Sequence, residues 1–116
     1  MGCNNDDDTT LNSRLVGKWK WIESSGGIMG VTYNPENTGK EITIEFTSNT
    51  KKSYINGVLE YQTTYYLEKG ESIFSTEKVD LINFENGFKQ SIEINNNNLI
   101  LSDEVYDGFW HEYKRE

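Results

Sequence analysis

The chain has 116 residues, enough for one hydrophobic core, and a formal net charge of −8 from 19 acidic and 11 basic residues. This charge argues against nucleic acid and anionic lipid headgroups as partners, because both are bound through clustered Lys and Arg side chains. The single cysteine excludes an internal disulfide and a cysteine-based metal site.

The amino terminus resembles the end of a bacterial lipoprotein signal. In Gly2-Cys3 a small residue precedes a cysteine, and in such signals that cysteine is diacylated and becomes the new amino terminus. Myristoylation is the other lipid modification to consider, but Asp6 occupies the position where it requires Ser or Thr. The resemblance implies an exported protein anchored to the bacterial outer membrane by a lipid on Cys3, with no other membrane contact.

An acidic, wholly polar segment follows the cysteine. Residues 4–10 read NNDDDTT, so they have no apolar surface whose burial would offset the entropy of ordering. We expect a flexible acidic tether over residues 1–13 and a single domain over residues 14–116. The acidic run at residues 6–8 also resembles the signal that sends Bacteroidota lipoproteins to the cell surface, although a solubilising tail would have the same composition.

The first strand begins near Val16 and is followed by a glycine-rich segment. A helical turn over residues 9–15, capped by Asp8 or Thr9, is expected to precede this strand. Residues 24–40 contain four glycines and the only proline, which predicts a long loop. The apolar side chains of this loop fit either a lid over the open end of the domain or packing on its outer surface. They are Ile28, Met29, Val31 and Tyr33.

Beyond residue 40, apolar and polar residues alternate with a period of two, which is typical of half-buried strands. Ile42, Ile44 and Phe46 on one face alternate with Thr43 and Glu45 on the other. Further strands are predicted over residues 52–55, 59–67, 79–84, 88–94, 99–102 and 109–115, and another candidate strand begins at Ile73 and Phe74.

Short turns between these strands favour antiparallel pairing. Asn56-Gly57 is the clearest hairpin signal, because Asn and Gly tolerate the positive φ angles of tight turns. The spacings leave no room for crossover helices. We therefore predict an all-β fold, an antiparallel up-and-down β-barrel of about eight strands that closes because an open sheet would expose two edges. A two-sheet sandwich has the same periodicity and is the alternative.

The two ends of the domain resemble the lipocalin family. Gly17-Lys18-Trp19 is a G-x-W triplet on the first strand, and the last strand ends with Arg115. In lipocalins such a glycine and tryptophan close one end of the barrel, and a basic side chain packs across the indole. The resemblance covers residues 15–115 and is closest to small lipocalin-like domains of bacterial lipoproteins. It implies that Gly17, Trp19 and Arg115 close the barrel.

The sequence contains no recognisable catalytic motif. It has no G-x-S-x-G nucleophile motif, and His111 is its only histidine. We therefore predict a protein that is not an enzyme and has neither a cofactor nor a metal. The catalytic alternative is a hydrolase or isomerase that uses His111, and it requires this side chain to be hydrogen-bonded to a carboxylate inside a pocket.

The predicted barrel interior leads to a hypothesis of ligand binding. If Trp19 points inwards, side chains that share its phase line the interior. These candidate ligand-binding residues are Trp21, Tyr61, Thr63, Tyr65, Phe88, Gln90, Phe109, His111 and Tyr113. They suit a small hydrophobic or amphipathic ligand held by the rings. The alternative is a barrel filled by its own side chains, which would serve as a structural or protein-interaction module of the bacterial envelope.

Overall fold

In the computed structural model, which describes residues 10–116, nine antiparallel strands form one sheet that closes into a barrel. The predicted lipid attachment at Cys3 and the acidic run at residues 6–8 lie outside the described residues. In chain order the elements are α1 (Leu11–Leu15), β1 (Gly17–Gly26), β2 (Val31–Tyr33), α2 (Pro35–Thr38), β3 (Ile42–Phe46), β4 (Thr50–Ile55), β5 (Val58–Gly70), β6 (Val79–Phe84), β7 (Lys89–Asn95), β8 (Asn98–Asp103) and β9 (Phe109–Arg115).

Strand β1 closes the barrel by pairing on both of its edges. Its first residues pair with β3, with Trp19 opposite Ile44, and its longer course from Trp19 to Gly26 pairs with β9. Strands β3 to β9 pair in sequence order, so eight strands form the closed barrel and β2 is one extra strand on β1. The predicted all-β up-and-down barrel is therefore confirmed, and the sandwich is not formed.

The helical turn before the first strand is also confirmed, with a different cap. Thr10 is the N-cap of α1, and its hydroxyl accepts a hydrogen bond from the Ser13 backbone N–H at 3.2 Å. The prediction of Asp8 or Thr9 as the cap was wrong, because both would begin the helix before Leu11. Residues 11–13, which we placed in the tether, belong to this helix.

The predicted long loop at residues 24–40 was wrong, because much of it is regular structure. Strand β1 continues to Gly26, where φ is +142° and a Cβ would lie 2.4 Å from the Gly108 carbonyl oxygen. Glycine here therefore allows close strand contact. Strand β2 returns along β1, and the short helix α2 follows, with Asn34 and Asn37 forming a reciprocal capping box.

The candidate strand at Ile73 and Phe74 was also wrong. The backbone N–H of Ile73 donates to the carboxylate of Glu104 at 3.0 Å, and the Ser72 hydroxyl donates to the same carboxylate at 2.8 Å. These side-chain acceptors fix the segment as a loop between β5 and β6. The Phe74 ring packs edge-on against Tyr106, with centroids 6.5 Å apart.

One end of the barrel is densely filled. Leu15, Trp19, Phe46 and Leu99 are fully buried there in the main hydrophobic cluster, and the Trp19 indole N–H donates to the Leu15 carbonyl at 2.9 Å. This bond joins α1 to the barrel and satisfies the one polar atom of the indole. We call this region the closed end.

Arg115 covers the closed end from the last strand. Its guanidinium carbon lies 4.0 Å from the centroid of the Trp19 ring, and its nitrogens donate to the carbonyls of Val16, at 3.1 Å, and Arg14. At Gly17, where φ is +134°, a Cβ would lie 2.8 Å from an Arg115 nitrogen. Arg115 is therefore in contact with both other residues of the predicted closure, Gly17 and Trp19.

Candidate functional site

A cavity of about 510 Å³ lies further along the barrel from the closed end. Along β9, Arg115 covers the closed end, and Tyr113 and His111 are the next inward-facing residues and line the cavity. The half-exposed rings of Tyr61 and Phe88 lie at its solvent side. The lining residues are Lys51, Tyr61, Gln62, Thr63, Phe84, Glu85, Asn86, Phe88, Gln90, Asp103, His111 and Tyr113. This volume is within the usual range for a small-molecule site.

Six of the nine candidate ligand-binding residues lie around this cavity. They are Tyr61, Thr63, Phe88, Gln90, His111 and Tyr113. The other three do not line it. Trp21 is buried in the core, the Tyr65 hydroxyl donates to the Thr47 carbonyl, and Phe109 is stacked between the rings of Tyr33 and His111. Trp21 and Phe109 therefore support the wall through the contacts that hold His111, whereas Tyr65 lies beyond the cavity, next to Phe46.

The lid suggested for the apolar side chains of residues 28–33 does not cover the cavity. Ile28 and Met29 are 82% and 85% exposed at the tip of the β1–β2 hairpin. None of these side chains lines the cavity, and Tyr33 packs on Phe109 with ring centroids 6.0 Å apart. Packing on the outer surface does not describe Tyr33 either, because Tyr33 is paired with Ser24 and contacts Phe109, and both have the inward phase of His111. The hairpin tip is exposed.

A chain of hydrogen bonds fixes the His111 ring in the cavity wall. The Trp21 indole N–H can only donate, and it donates to the Ser24 hydroxyl oxygen at 2.8 Å. On the other side of the ring, the Asp103 carboxylate can only accept, so His111 Nε2 carries the ring proton and donates to Asp103 Oδ1 at 3.2 Å. In the neutral ring Nδ1 is then an acceptor, and the Ser24 hydroxyl, 2.7 Å away, donates to it.

Asp103 is the centre of this polar network. Besides His111, the Gln90 side-chain amide donates to its Oδ1 at 2.9 Å, and the Phe109 backbone N–H donates to its Oδ2 at 3.0 Å. The bond to a carboxylate fixes the orientation of the Gln90 amide, since only its NH₂ group can donate. The opposite atom, Gln90 Oε1, is buried without a hydrogen-bond partner.

Lys51 brings a positive charge to the same cavity. Its side chain is only 8% exposed, and its ammonium lies 5.1 Å from the ring centroid of Phe84 and 5.9 Å from that of Tyr61. Within residues 10–116 it forms no ion pair and no side-chain hydrogen bond, and its Nζ is not fully buried, so the ammonium keeps access to the cavity. Burial lowers the pKa of Lys51 from 10.5 to about 8, against the opposing effect of the Asp103 charge.

Burial also keeps the imidazole and phenol groups of the cavity neutral. It lowers the pKa of His111, although the charge and the hydrogen bond of Asp103 act in the opposite direction. It raises the pKa of Tyr113 well above the ordinary value of 10.0. At neutral pH the lining therefore contains one ammonium, the carboxylates of Asp103 and Glu85, and neutral imidazole and phenol groups.

The arrangement at His111 meets the geometric requirement of the catalytic alternative but places no nucleophile in the cavity. The ring is bonded to a carboxylate in a pocket, and the order serine, histidine, aspartate is that of a nucleophilic relay. However, the buried Ser24 does not line the cavity, so its hydroxyl is not available to a substrate there. Within residues 10–116, no His, Asp and Glu side chains are grouped as a metal site would require.

Sequence reasoning missed two important residues of the cavity. Asp103 follows Leu99 and Leu101 at the same spacing of two, so the inward phase of β8 extended by one step would have identified it. Lys51 gave no such signal, because it is followed by Lys52 and either lysine could have been the inward one. Only the register of β4 against Phe46 and Thr63 distinguishes them.

The lowered pKa of His111 makes the stability of the barrel depend on pH. The unfolded chain takes up the proton near pH 6.5 and the folded chain at a lower pH, so between these values the unfolded state binds more protons. We expect the free energy of unfolding to fall from pH 7.5 to 5.5, by at most about 1.4 kcal/mol per pH unit from this one group. Urea denaturation at several pH values measures it.

The matched variant for this prediction is His111→Gln, which keeps a polar side chain but cannot titrate. Its stability should change less between pH 7.5 and 5.5 than that of the wild type, whatever its stability at pH 7.5. Equal pH slopes for the two proteins would show that another group is responsible.

Two further findings concern membrane-spanning helices and similarity to known proteins. No helix in the described part of the protein has the length and apolar character needed to cross a membrane. Comparison with protein-family models, with curated protein sequences and with solved structures finds no match to this chain.

Proposed function

We propose that this protein is a non-enzymatic binding protein whose barrel holds a small hydrophobic or amphipathic molecule. The observation that supports the proposal is the cavity of about 510 Å³ between the rings of Tyr61, Phe84, Phe88 and Tyr113. Such rings supply apolar contact area with little loss of conformational entropy. The polar groups among them give a ligand a defined orientation.

The proposed location of this function is the bacterial envelope. The support comes from Gly2-Cys3, which resembles a lipoprotein processing site, and from the acidic run at residues 6–8 that follows it. A lipid on Cys3 would hold a lipocalin-like domain at the outer membrane. Mass spectrometry of the protein from its native host tests this, since a diacylated cysteine must be the first residue of the mature chain. An unmodified Cys3 in that protein would contradict it.

A role in protein interaction is the second candidate, and exposed apolar side chains favour it. The tip of the β1–β2 hairpin exposes Ile28 and Met29, and Tyr106 is 81% exposed beside Phe74. Large apolar side chains grouped on a surface are a common feature of interaction sites. This role would leave the cavity without a specific ligand, so the two candidates differ in the outcome of a binding experiment.

The experiment measures binding of a neutral fluorescent probe, N-phenyl-1-naphthylamine, to the purified chain. We expect saturable binding, and we expect Thr63→Trp to weaken it by about tenfold or more, because a large ring would occupy the cavity. Tyr66→Trp is the matched control, since residue 66 is exposed on the opposite face of β5. Absence of saturable binding, or equal binding by both variants, would contradict the proposal.

Native mass spectrometry of protein purified from its own host complements the probe experiment. A bound small molecule that is lost in Thr63→Trp and retained in Tyr66→Trp would support the binding role. Co-purification of a protein with the cavity empty would favour the second candidate.

A further inference from the structure

The ammonium of Lys51 is a largely buried charge for which the protein provides little compensation. The side chain is 8% exposed and faces the cavity, with its Nζ over the rings of Phe84 and Tyr61, while Asp103 acts on it only through its field. A buried charge without a direct partner is costly. An anion that entered the cavity would remove this cost and form a charge-assisted hydrogen bond.

We propose that the ligand carries, beside its apolar body, a carboxylate that pairs with Lys51 Nζ. This inference rests on the proposed function and names the chemical class of its ligand. Lys51 and the surrounding rings would then act as one subsite for an amphipathic, monoanionic molecule.

The charges around the cavity favour a monoanion over a phosphate dianion. Asp103 and Glu85 both line the cavity with their carboxylates, and Lys51 is the only lysine or arginine among the lining residues. One ammonium balances one negative charge, and a second charge on the ligand would face the Asp103 carboxylate in the cavity wall and the exposed carboxylate of Glu85.

Two probes of similar size test the inference by isothermal titration calorimetry. Indole-3-acetate carries a carboxylate, and indole-3-acetamide lacks the charge. We expect the wild type to bind indole-3-acetate about tenfold more tightly than the amide, as is typical for a charge-assisted hydrogen bond.

The variants assign this preference to one residue. Lys51→Met keeps the length of the side chain and should abolish the preference for the acetate over the amide. Lys52→Met is its control, because it removes the same charge from the adjacent residue, which does not line the cavity. The ratio of the two affinities cancels any general loss of affinity in a variant.

The outcomes separate the inference from the proposed function. If N-phenyl-1-naphthylamine binds but the wild type does not distinguish the acetate from the amide, or Lys51→Met retains the distinction, the carboxylate subsite is wrong while the binding role stands. If neither the neutral probe nor the two indole compounds bind, the binding role itself is wrong.

Discussion

Replacing Trp19 with alanine should lower the free energy of unfolding by about 3–5 kcal/mol, as is typical of large-to-small changes at fully buried aromatic residues. The indole has no exposed surface, and it packs among Leu15, Phe46 and Leu99 at the closed end. Its loss would also leave the Leu15 carbonyl without the indole donor and the Arg115 guanidinium without its ring. Urea unfolding followed by circular dichroism measures the change.

Two further variants keep this prediction testable if the alanine variant does not fold. Trp110→Ala removes the same ring from an outward-facing, 38% exposed position of β9 and should cost much less. Arg115→Met leaves the ring in place and removes the cation, for which we expect a loss of about 1–2 kcal/mol. If Trp19→Ala and Trp110→Ala were equally destabilising, the indole would not hold the closed end together.

The period-two alternation was sufficient to predict the barrel because the strands have one buried and one exposed face. Ile44 and Phe46 are buried in β3, and the turn at Asn56 and Gly57 has the positive φ angles, 51° and 83°, that the residue types predicted. Closure could not be read from periodicity alone. It depends on β1 pairing with both β3 and β9, which are distant in the chain.

The predictions that failed concern segments in which glycine or apolar residues serve tertiary contacts. Gly26 resembles a loop residue in sequence, but it lies within a strand because Gly108 approaches its Cα too closely for a side chain. Ile73 and Phe74 have the composition of a strand, yet the Glu104 carboxylate takes up the backbone N–H of Ile73. Local composition cannot report such distant partners.

Local sequence pattern likewise predicted only some of the residues around the cavity. Phase along β5, β7 and β9 placed Tyr61, Gln90 and His111 correctly around it. Phase does not give depth along the barrel axis, so Tyr65 shares the face of Tyr61 but bonds to Thr47 beyond the cavity. The alternation of apolar and polar residues could not identify Lys51 as inward-facing, because charged residues are expected to face solvent and Lys51 is a buried charge without a partner.

Lys51→Met should make the protein more stable at pH 7 by about 3 kcal/mol. The folded pKa of about 8 lies below the ordinary 10.5, and each pH unit of difference corresponds to about 1.4 kcal/mol. This is the free-energy cost of keeping the ammonium in the cavity rather than in water. Methionine has a similar length, fills the same space and carries no charge. Urea denaturation of the two proteins at pH 7 measures the difference.

The pH dependence identifies the origin of that gain. Between pH 8 and 10.5 the unfolded wild type still holds the Lys51 proton while the folded protein has released it, so its free energy of unfolding rises with pH. The advantage of the variant should therefore narrow across this window. The tyrosines with raised pKa values are present in both proteins and cancel in the difference. Lys52→Met, the control, should show neither the gain nor the narrowing.

A gain in stability on removing Lys51 would support a functional role for this side chain. A side chain that destabilises the free protein and faces a cavity is typical of a functional site, where stability is exchanged for activity. The same substitution that stabilises the empty barrel should weaken carboxylate binding, because the cost of the buried charge is recovered only when an anion binds. An anionic ligand should accordingly stabilise the wild type more than the variant in the same denaturation experiment.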